Sequence, residues 1–233
     1  MNALEDVDLH APFKFYRDEP RTLELQALLR DAGDGGIVAD CRLIGRRTLP
    51  GKGEQETVHF TGRARLTPGS PPTSPAGERP SAEPAEEVGR EAVYKVYFHG
   101  PAYQVLDRAW RAEGDVVGRL APDLPPAHEP PGHPTEISPR LIELCFQTAG
   151  VWELGRFGRL GLPTHVDRVA CFGGADEGGA LFAVVHPRDG DVIDAEVMDG
   201  TGRVRVRLEG YRTTALPGGL DPEALDPIRA AMG

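Results

Sequence analysis

One helix constrains the fold of this chain more than any other feature. From Ser138 onward the sequence reads SPRLIELCFQTAGVWELGR, and its apolar side chains recur at i, i+3, i+4 and i+7. This spacing predicts a helix over about residues 138–156. Serine is a favourable N-cap, and proline fits the first helical position, where its missing N–H costs nothing. The apolar stripe comprises Leu141, Leu144, Cys145, Thr148, Ala149 and Trp152.

Strand signals surround this helix on both sides. Before it, residues 22–30, 36–46 and 56–66 alternate between apolar and polar positions, which predicts an antiparallel meander. After it come four more strand segments, THVDRVACF, ALFAVVHP, DVIDAEVMD and GRVRVRLEGYRTTAL. We therefore expect an α+β fold, with a curved sheet wrapped around a central helix. No predicted helix covers the apolar face of the first meander.

A proline-rich segment divides the chain. Residues 67–91 contain six prolines, and Val88 is their only large apolar residue. Such a segment cannot bury enough surface to fold, so it is predicted to be an extended linker. The expected organisation is a β meander over residues 1–66, the linker over 67–91, a second α+β unit over 92–217 and a tail over 218–233.

Charge and composition exclude several functional classes. The formal net charge of −10 argues against nucleic acids and membrane surfaces as partners, because both are polyanions. No segment approaches the ~20 apolar residues of a membrane helix, and the N-terminus does not read as a secretory signal. Cys41, Cys145 and Cys171 lie far apart without metal-ligand spacing. We expect reduced thiols, no metal site and a cytoplasmic location.

Two short segments could carry chemistry. Glu143 and Gln147 lie four residues apart, on one side of the predicted helix. Either they form a solvated flank, or they face a pocket in which the carboxyl group acts as an acid. The second segment is FHGPAYQ, in which Gly100 and Pro101 predict a bend. His99 before the bend is a general-base candidate, because imidazole titrates near neutral pH, although an isolated histidine in a turn is more often structural.

These segments, in this order, resemble a polyketide synthase dehydratase domain. FHGPAYQVLDRAWR resembles the opening of the family's second half, where a GPxFQ motif is usual. SPRLIELCFQTAG resembles its helix, which usually reads His-Pro-x-Leu-Leu-Asp and then Gln. GLPTHVDRVACF and DGTGRVRVRLEGYRT resemble the strands that follow. LEDVDLHAPFKFYRDEPRTLELQ and VHFTGRARL resemble parts of the first half.

The resemblance implies a double hotdog, in which two helix-wrapping antiparallel sheets lie side by side, with the first hotdog incomplete. It also implies removal of water from a 3-hydroxyacyl chain on the phosphopantetheine arm of an acyl carrier protein, without any cofactor. Glu143 matches the family's acid and Gln147 its hydrogen-bonding companion, while His99 stands where tyrosine is more common. Pro101, Tyr103 and His165 are expected near the substrate.

The sequence departs from the family in ways that leave alternatives open. The acid is glutamate where aspartate is usual, and the family's catalytic histidine belongs to a motif of the first hotdog that does not occur here. A non-catalytic double hotdog that binds a carrier protein or scaffolds other synthase domains is the main alternative. A hotdog thioesterase or cyclase using His99 and Glu143 is another. The uncovered meander also predicts a partner for its apolar face, most simply a second copy in a homodimer.

Overall fold

A computed structural model describes residues 3–14, 21–33, 35–49, 51, 53–69, 72–77, 84, 86–128, 135, 137–173, 179–189 and 191–233. These residues form eleven strands and three α-helices. In chain order the elements are β1 (Ala3–Leu9), β2 (Leu23–Asp31), β3 (Ile37–Leu49), β4 (Gly53–Leu66), β5 (Val88–Gly89), α1 (Arg90–Val96), β6 (Leu106–Ala112), β7 (Asp115–Leu120), α2 (Pro139–Phe157), β8 (Gly161–Cys171), β9 (Leu181–Pro187), β10 (Ile193–Asp199), β11 (Val204–Ala215) and α3 (Pro222–Met232).

All eleven strands belong to one antiparallel sheet, in the order β2-β3-β4-β1-β8-β11-β10-β9-β7-β6-β5. Strand β1 lies at the junction of its two halves. Leu4 stands opposite Ala64 of β4 on one side and opposite Val169 of β8 on the other. Backbone hydrogen bonds therefore run without interruption from the first meander into the strands around α2.

Helix α2 occupies the predicted central position, packed against strands β6 to β11. All residues from Gln147 to Val151 are buried, so this part of the helix is enclosed on every side and not along one stripe alone. Leu144, Ala149 and Leu154 are completely buried. Ser138 is the N-cap residue, but its side chain makes no capping hydrogen bond, contrary to the usual role of serine there. Packing against the sheet is therefore the main stabilisation of this helix.

In strand β11 the alternation of inward and outward side chains shifts by one residue part-way along. Val204, Val206 and Leu208 are completely buried, and the intervening arginines are half-buried, as the alternation predicts. Leu208 lies opposite Ala195 of β10, but the next paired residue on β11 is Tyr211, opposite Ile193. The extra residue forms a β-bulge at Gly210, whose φ of 69° is the left-handed conformation that glycine tolerates. Beyond the bulge, Tyr211 rather than residue 210 points its side chain toward the core.

Residues 218–233, which are predicted to be a tail, contain helix α3. Its N-cap residue Asp221 accepts a hydrogen bond from the Glu223 N–H. Leu225 and Ile228 are buried, and α3 packs against α2, α1 and β6. This helix therefore contributes to the same hydrophobic core as α2.

Part of the proline-rich segment also contacts the sheet. Residues 72–77 run along the start of β11, where the Val204 N–H donates to the Pro75 carbonyl at 3.0 Å. The Gly77 N–H donates to the Gly202 carbonyl at 2.7 Å. This part of the predicted linker is thus an extended segment held by backbone hydrogen bonds.

The first meander has one charged face and one apolar face. Ion pairs between Arg30 and Asp40 and between Arg46 and Glu24 lie on the charged face. On the other face, Leu25 and Leu29 are 69% and 60% exposed. The described residues thus leave this face largely uncovered, as the sequence predicts. Among the helices of these residues, none has the length and apolar character needed to cross a membrane.

Candidate active site

A cavity of about 230 Å³ opens between the first turns of α2, the bend after α1 and the inner faces of β8 and β11. Three of the predicted site residues, Glu143, Gln147 and His99, line it. The other lining residues are mostly apolar or aromatic: Tyr97, Phe98, Phe146, Gly150, Leu160, Gly161, Leu162, Pro163 and Tyr211. The lining resembles that of small-molecule sites, in which a few polar groups converge in an apolar wall, but the volume is smaller than their usual range of about 300–1,000 Å³.

Glu143 is held through one of its two carboxyl oxygens. Gln147 Nε2 donates a hydrogen bond to Glu143 Oε1 at 2.9 Å, and His99 Nε2 lies 3.1 Å from the same oxygen. No described residue makes a hydrogen bond with Oε2 of Glu143. The Glu143 side chain is 21% exposed, so the solvated-flank interpretation does not describe it. The arrangement fixes the carboxyl group and leaves one oxygen available to a ligand.

Gln147 is in turn fixed by buried partners. Its amide Nε2 also donates to the Tyr103 carbonyl at 2.8 Å, and its Oε1 accepts from the Tyr94 hydroxyl at 2.6 Å. The Tyr97 hydroxyl donates to the Gln147 carbonyl at 2.7 Å. Burial raises the pKa of both phenols, so they remain neutral hydrogen-bond donors. Because Gln147 is only 2% exposed, its side chain has one well-defined orientation.

The bend after α1 positions His99. Pro101 begins a single 3-10 turn, and the Gln104 amide donates to the His99 carbonyl at 3.1 Å. The imidazole ring stacks on Phe98 and contacts the edge of Tyr97. Its Nδ1 is buried and has no hydrogen-bond partner among the described residues. Nε2 is therefore the ring nitrogen that can form a hydrogen bond with Glu143.

The structure does not bring every predicted residue to the cavity. The side chains of Pro101 and Tyr103 are not part of its lining, although the Tyr103 carbonyl orients Gln147. His165 lies at the junction of β1 and β8, where Nδ1 is 2.6 Å from Asp8 and Nε2 is 2.9 Å from Asp167. Hydrogen bonds to these two carboxylates, first to Asp8, raise the pKa of His165. In this position His165 of β8 links its own strand to β1, which carries Asp8.

Several lining residues were not identified from the sequence. Tyr94 and Tyr97 belong to no local motif in the sequence, and their contacts with Gln147 span about fifty residues of chain. Phe146 directly precedes Gln147, and the sequence pattern identifies it only as a residue of the helix. Tyr211 falls at the same alternate positions as the arginines of β11, and only the bulge at Gly210 turns it inward. The glycine was the one available signal.

The cavity, the helix and the order of segments can be compared with known proteins. A family model described as the polyketide synthase dehydratase N-terminal domain matches residues 68–223, more than half of the chain. The chain belongs to the polyketide synthase dehydratase family. The resemblance inferred from the sequence segments is thus confirmed. Within the described residues, no group of His, Cys, Asp and Glu side chains is placed to hold a metal ion.

Solved structures of dehydratase domains share the fold. The dehydratase domain from the CurF module of the curacin polyketide synthase is 18% identical, with a TM-score of 0.66 over 92% of this chain and 76% of that one. A trans-AT polyketide synthase dehydratase domain from Brevibacillus brevis is also 18% identical, with a TM-score of 0.68 over the same two shares. These matches confirm an incomplete double hotdog.

The chain is also similar in sequence to a curated polyketide synthase. Polyketide synthase PksN from Bacillus subtilis (strain 168) is 24% identical over 233 residues. The match covers 92% of this chain but only 4% of the length of PksN. The chain therefore spans only a small part of the length of that relative.

Proposed function

We propose that this domain removes water from a 3-hydroxyacyl thioester carried on the phosphopantetheine arm of an acyl carrier protein. The observation that supports the proposal is the fixed carboxyl group of Glu143 in a mostly apolar cavity. The sequence resemblance matches this residue to the family's acid. An acid that protonates a departing hydroxyl has to be held close to one atom of the substrate. Gln147 and His99 together provide that restraint through Oε1.

In the proposed reaction a base removes a proton from C2 of the acyl chain, and that electron pair forms the C2–C3 double bond. The C3–O bond breaks as Glu143 gives its proton to the hydroxyl, which leaves as water. The unbonded Oε2 is the oxygen we assign to this proton transfer. The base in the proposed reaction is the family's histidine of the first hotdog, whose motif does not occur in the present sequence. His99 orients Glu143, and no cofactor takes part.

The proposed partners follow from this substrate. They are an acyl carrier protein and the other domains of a synthase in the cytoplasm, with a homodimer formed through the uncovered meander. The same cavity also suits the alternative of a non-catalytic domain that binds a carrier protein. Binding of a carrier protein without turnover, in a polypeptide that also contains the base, would favour this alternative.

The test uses Glu143→Gln, which keeps the size of the side chain and removes its acidic proton. Dehydration of a 3-hydroxyacyl pantetheine thioester is followed by mass spectrometry, with the present chain extended by the residues encoded upstream of it. Removal of a general acid should reduce kcat by about 10²- to 10⁴-fold. Glu223→Gln, on the exposed start of α3, is the matched control and should retain activity. Equal rates for both variants would contradict the proposal.

One contact favours a second candidate. His99 Nε2 and Glu143 Oε1 are 3.1 Å apart, so this chain alone contains an imidazole and a carboxyl group in one cavity. Such a pair can activate a water molecule for thioester hydrolysis. Release of free pantetheine thiol by the unextended chain, abolished by His99→Ala, would support hydrolysis and displace dehydration as the function.

A further inference from the structure

Tyr211 brings to the cavity a hydroxyl group that the proposed reaction does not use. The bulge at Gly210 turns this side chain inward, and its ring stacks on Phe146 with centroids 4.6 Å apart. Tyr211 is only 2% exposed, and it lines the cavity. No described residue makes a hydrogen bond with its hydroxyl. The ring is buried, but the hydroxyl oxygen keeps some accessible surface inside the cavity. A ligand oxygen in the cavity can therefore accept its hydrogen bond.

A second unpartnered polar atom lies near the same end of the cavity. Glu153 on α2 is 2% exposed, and its Oε1 accepts from Thr213 at 2.6 Å and from Arg159 at 3.3 Å. Its Oε2 is buried without a partner among the described residues. Gly161 lines the cavity directly over this atom, since a Cβ on Gly161 would stand 2.0 Å from Oε2. The carboxyl group therefore approaches the cavity only because residue 161 is glycine.

The Tyr211 hydroxyl is a hydrogen-bond donor, because burial raises its pKa and keeps it neutral. Burial also raises the pKa of Glu153, which is paired with Arg159. Tyr211 faces the cavity among Phe146, Leu160 and Leu162.

We propose that Tyr211 donates a hydrogen bond to an oxygen substituent on the acyl chain beyond C3, with Glu153 behind the adjoining cavity wall at Gly161. Tyr211 is then a specificity-determining residue that selects acyl chains with a keto or hydroxyl group there. This inference rests on the proposed function, because it takes an acyl thioester as the ligand.

The position of Tyr211 favours a hydrogen bond to an oxygen further along the acyl chain over one to the thioester carbonyl or the 3-hydroxyl. No hydrogen bond connects Tyr211 with Glu143, His99 or Gln147, which form a separate cluster. The thioester carbonyl and the 3-hydroxyl are separated by only one carbon, so both stay close to Glu143 when the hydroxyl is bound there. A donor outside that cluster is better matched to a group further along the chain. Sites built to bond a substrate oxygen discriminate strongly against analogues without it.

The test compares two probes that differ at one carbon, the pantetheine thioesters of 3-hydroxy-5-oxohexanoate and 3-hydroxyhexanoate. Binding to the full chain is measured by calorimetry, without turnover. The unaltered protein should bind the oxo probe about tenfold more tightly. Tyr211→Phe keeps the stacked ring and should abolish this preference, while its affinity for the alkyl probe stays unchanged. Thermal unfolding of Tyr211→Phe verifies that the variant is folded.

Tyr97→Phe is the matched control, because the Tyr97 hydroxyl is already bonded to the Gln147 carbonyl. That variant should keep the ratio between the two probes. The inference is overturned if the unaltered protein shows no preference, or if Tyr211→Phe weakens both probes equally, which would assign the phenol to an oxygen that both share. Equal binding of both probes leaves the proposed dehydration intact, whereas failure of both probes to bind overturns the two proposals together.

Discussion

At the scale of single residues, two histidines next to carboxylates have different surroundings. His99 shares Glu143 with Gln147 in an enclosed cavity, whereas His165 lies between Asp8 and Asp167 at the sheet junction. From the sequence alone both are candidate site residues, because the sequence does not show which carboxylate each histidine contacts in the folded chain. Only the pairing of β1 with β8 brings Asp8 to His165.

The His165 cluster predicts a pH dependence of stability. Asp8 and Asp167 raise the pKa of His165, so protonated imidazole is favoured in the folded state. The contribution is fully present below the ordinary histidine pKa of about 6.5 and is lost as pH rises through the raised value. In urea unfolding between pH 5.5 and 8.5, the stability advantage over His165→Gln should shrink with rising pH. An advantage that is constant over this range would contradict the prediction.

At the scale of elements, the bulge in β11 determines which side chains reach the cavity. Gly210 has a positive φ, and a Cβ there would stand 1.8 Å from Asp167 Oδ2. Gly210→Ala therefore forces a strained backbone and displaces the Asp167 carboxylate from Arg212 and His165. We expect a loss of at least about 2 kcal/mol in unfolding free energy, measured with urea. Gly114→Ala, in a turn with open space around it, is the control and should have little effect.

Helix α3 provides a second prediction at this scale. Ile228 is completely buried in the shared core, so Ile228→Ala should lower the unfolding free energy by about 2–5 kcal/mol. Ala230→Ser, on the exposed side of the same helix, should change it by less than about 0.5 kcal/mol. Similar stabilities for the two variants would show that α3 detaches in solution and that residues 218–233 behave as a tail.

The elements that sequence could predict are those whose signal is local. Helix α2 has a stripe of apolar residues and a proline at its first position, and both are visible without any partner. Helix α3 is short and contains Pro227, which resembles a breaker in the sequence alone. The inward direction of Tyr211 depends on the register of β11 against β10, which no single strand encodes. Glu143 and Gln147 were identifiable by their spacing, whereas their anchors Tyr94 and Tyr103 come from distant positions in the chain.

At the scale of the whole molecule, the meander exposes an apolar face, and we expect the proposed homodimer to use it. Leu25→Lys with Leu29→Lys should abolish the dimer in sedimentation velocity experiments, because two charges cannot be buried in an apolar interface without partners. Leu28→Lys is the matched control, since Leu28 is 59% exposed on the same strand but points to the charged face. A dimer lost equally in both variants, or a monomeric unaltered protein, would contradict the prediction.

The central position of β1 affects how the polypeptide behaves when its backbone is cut. β1 belongs to the N-terminal part of the chain, yet it bonds to β8 from the C-terminal part as well as to β4. Severing the chain between β4 and β5 therefore leaves two fragments that meet edge to edge, joined by the backbone hydrogen bonds between β1 and β8. The two fragments should co-purify and reassemble when co-expressed, which makes this domain a candidate for split-protein complementation.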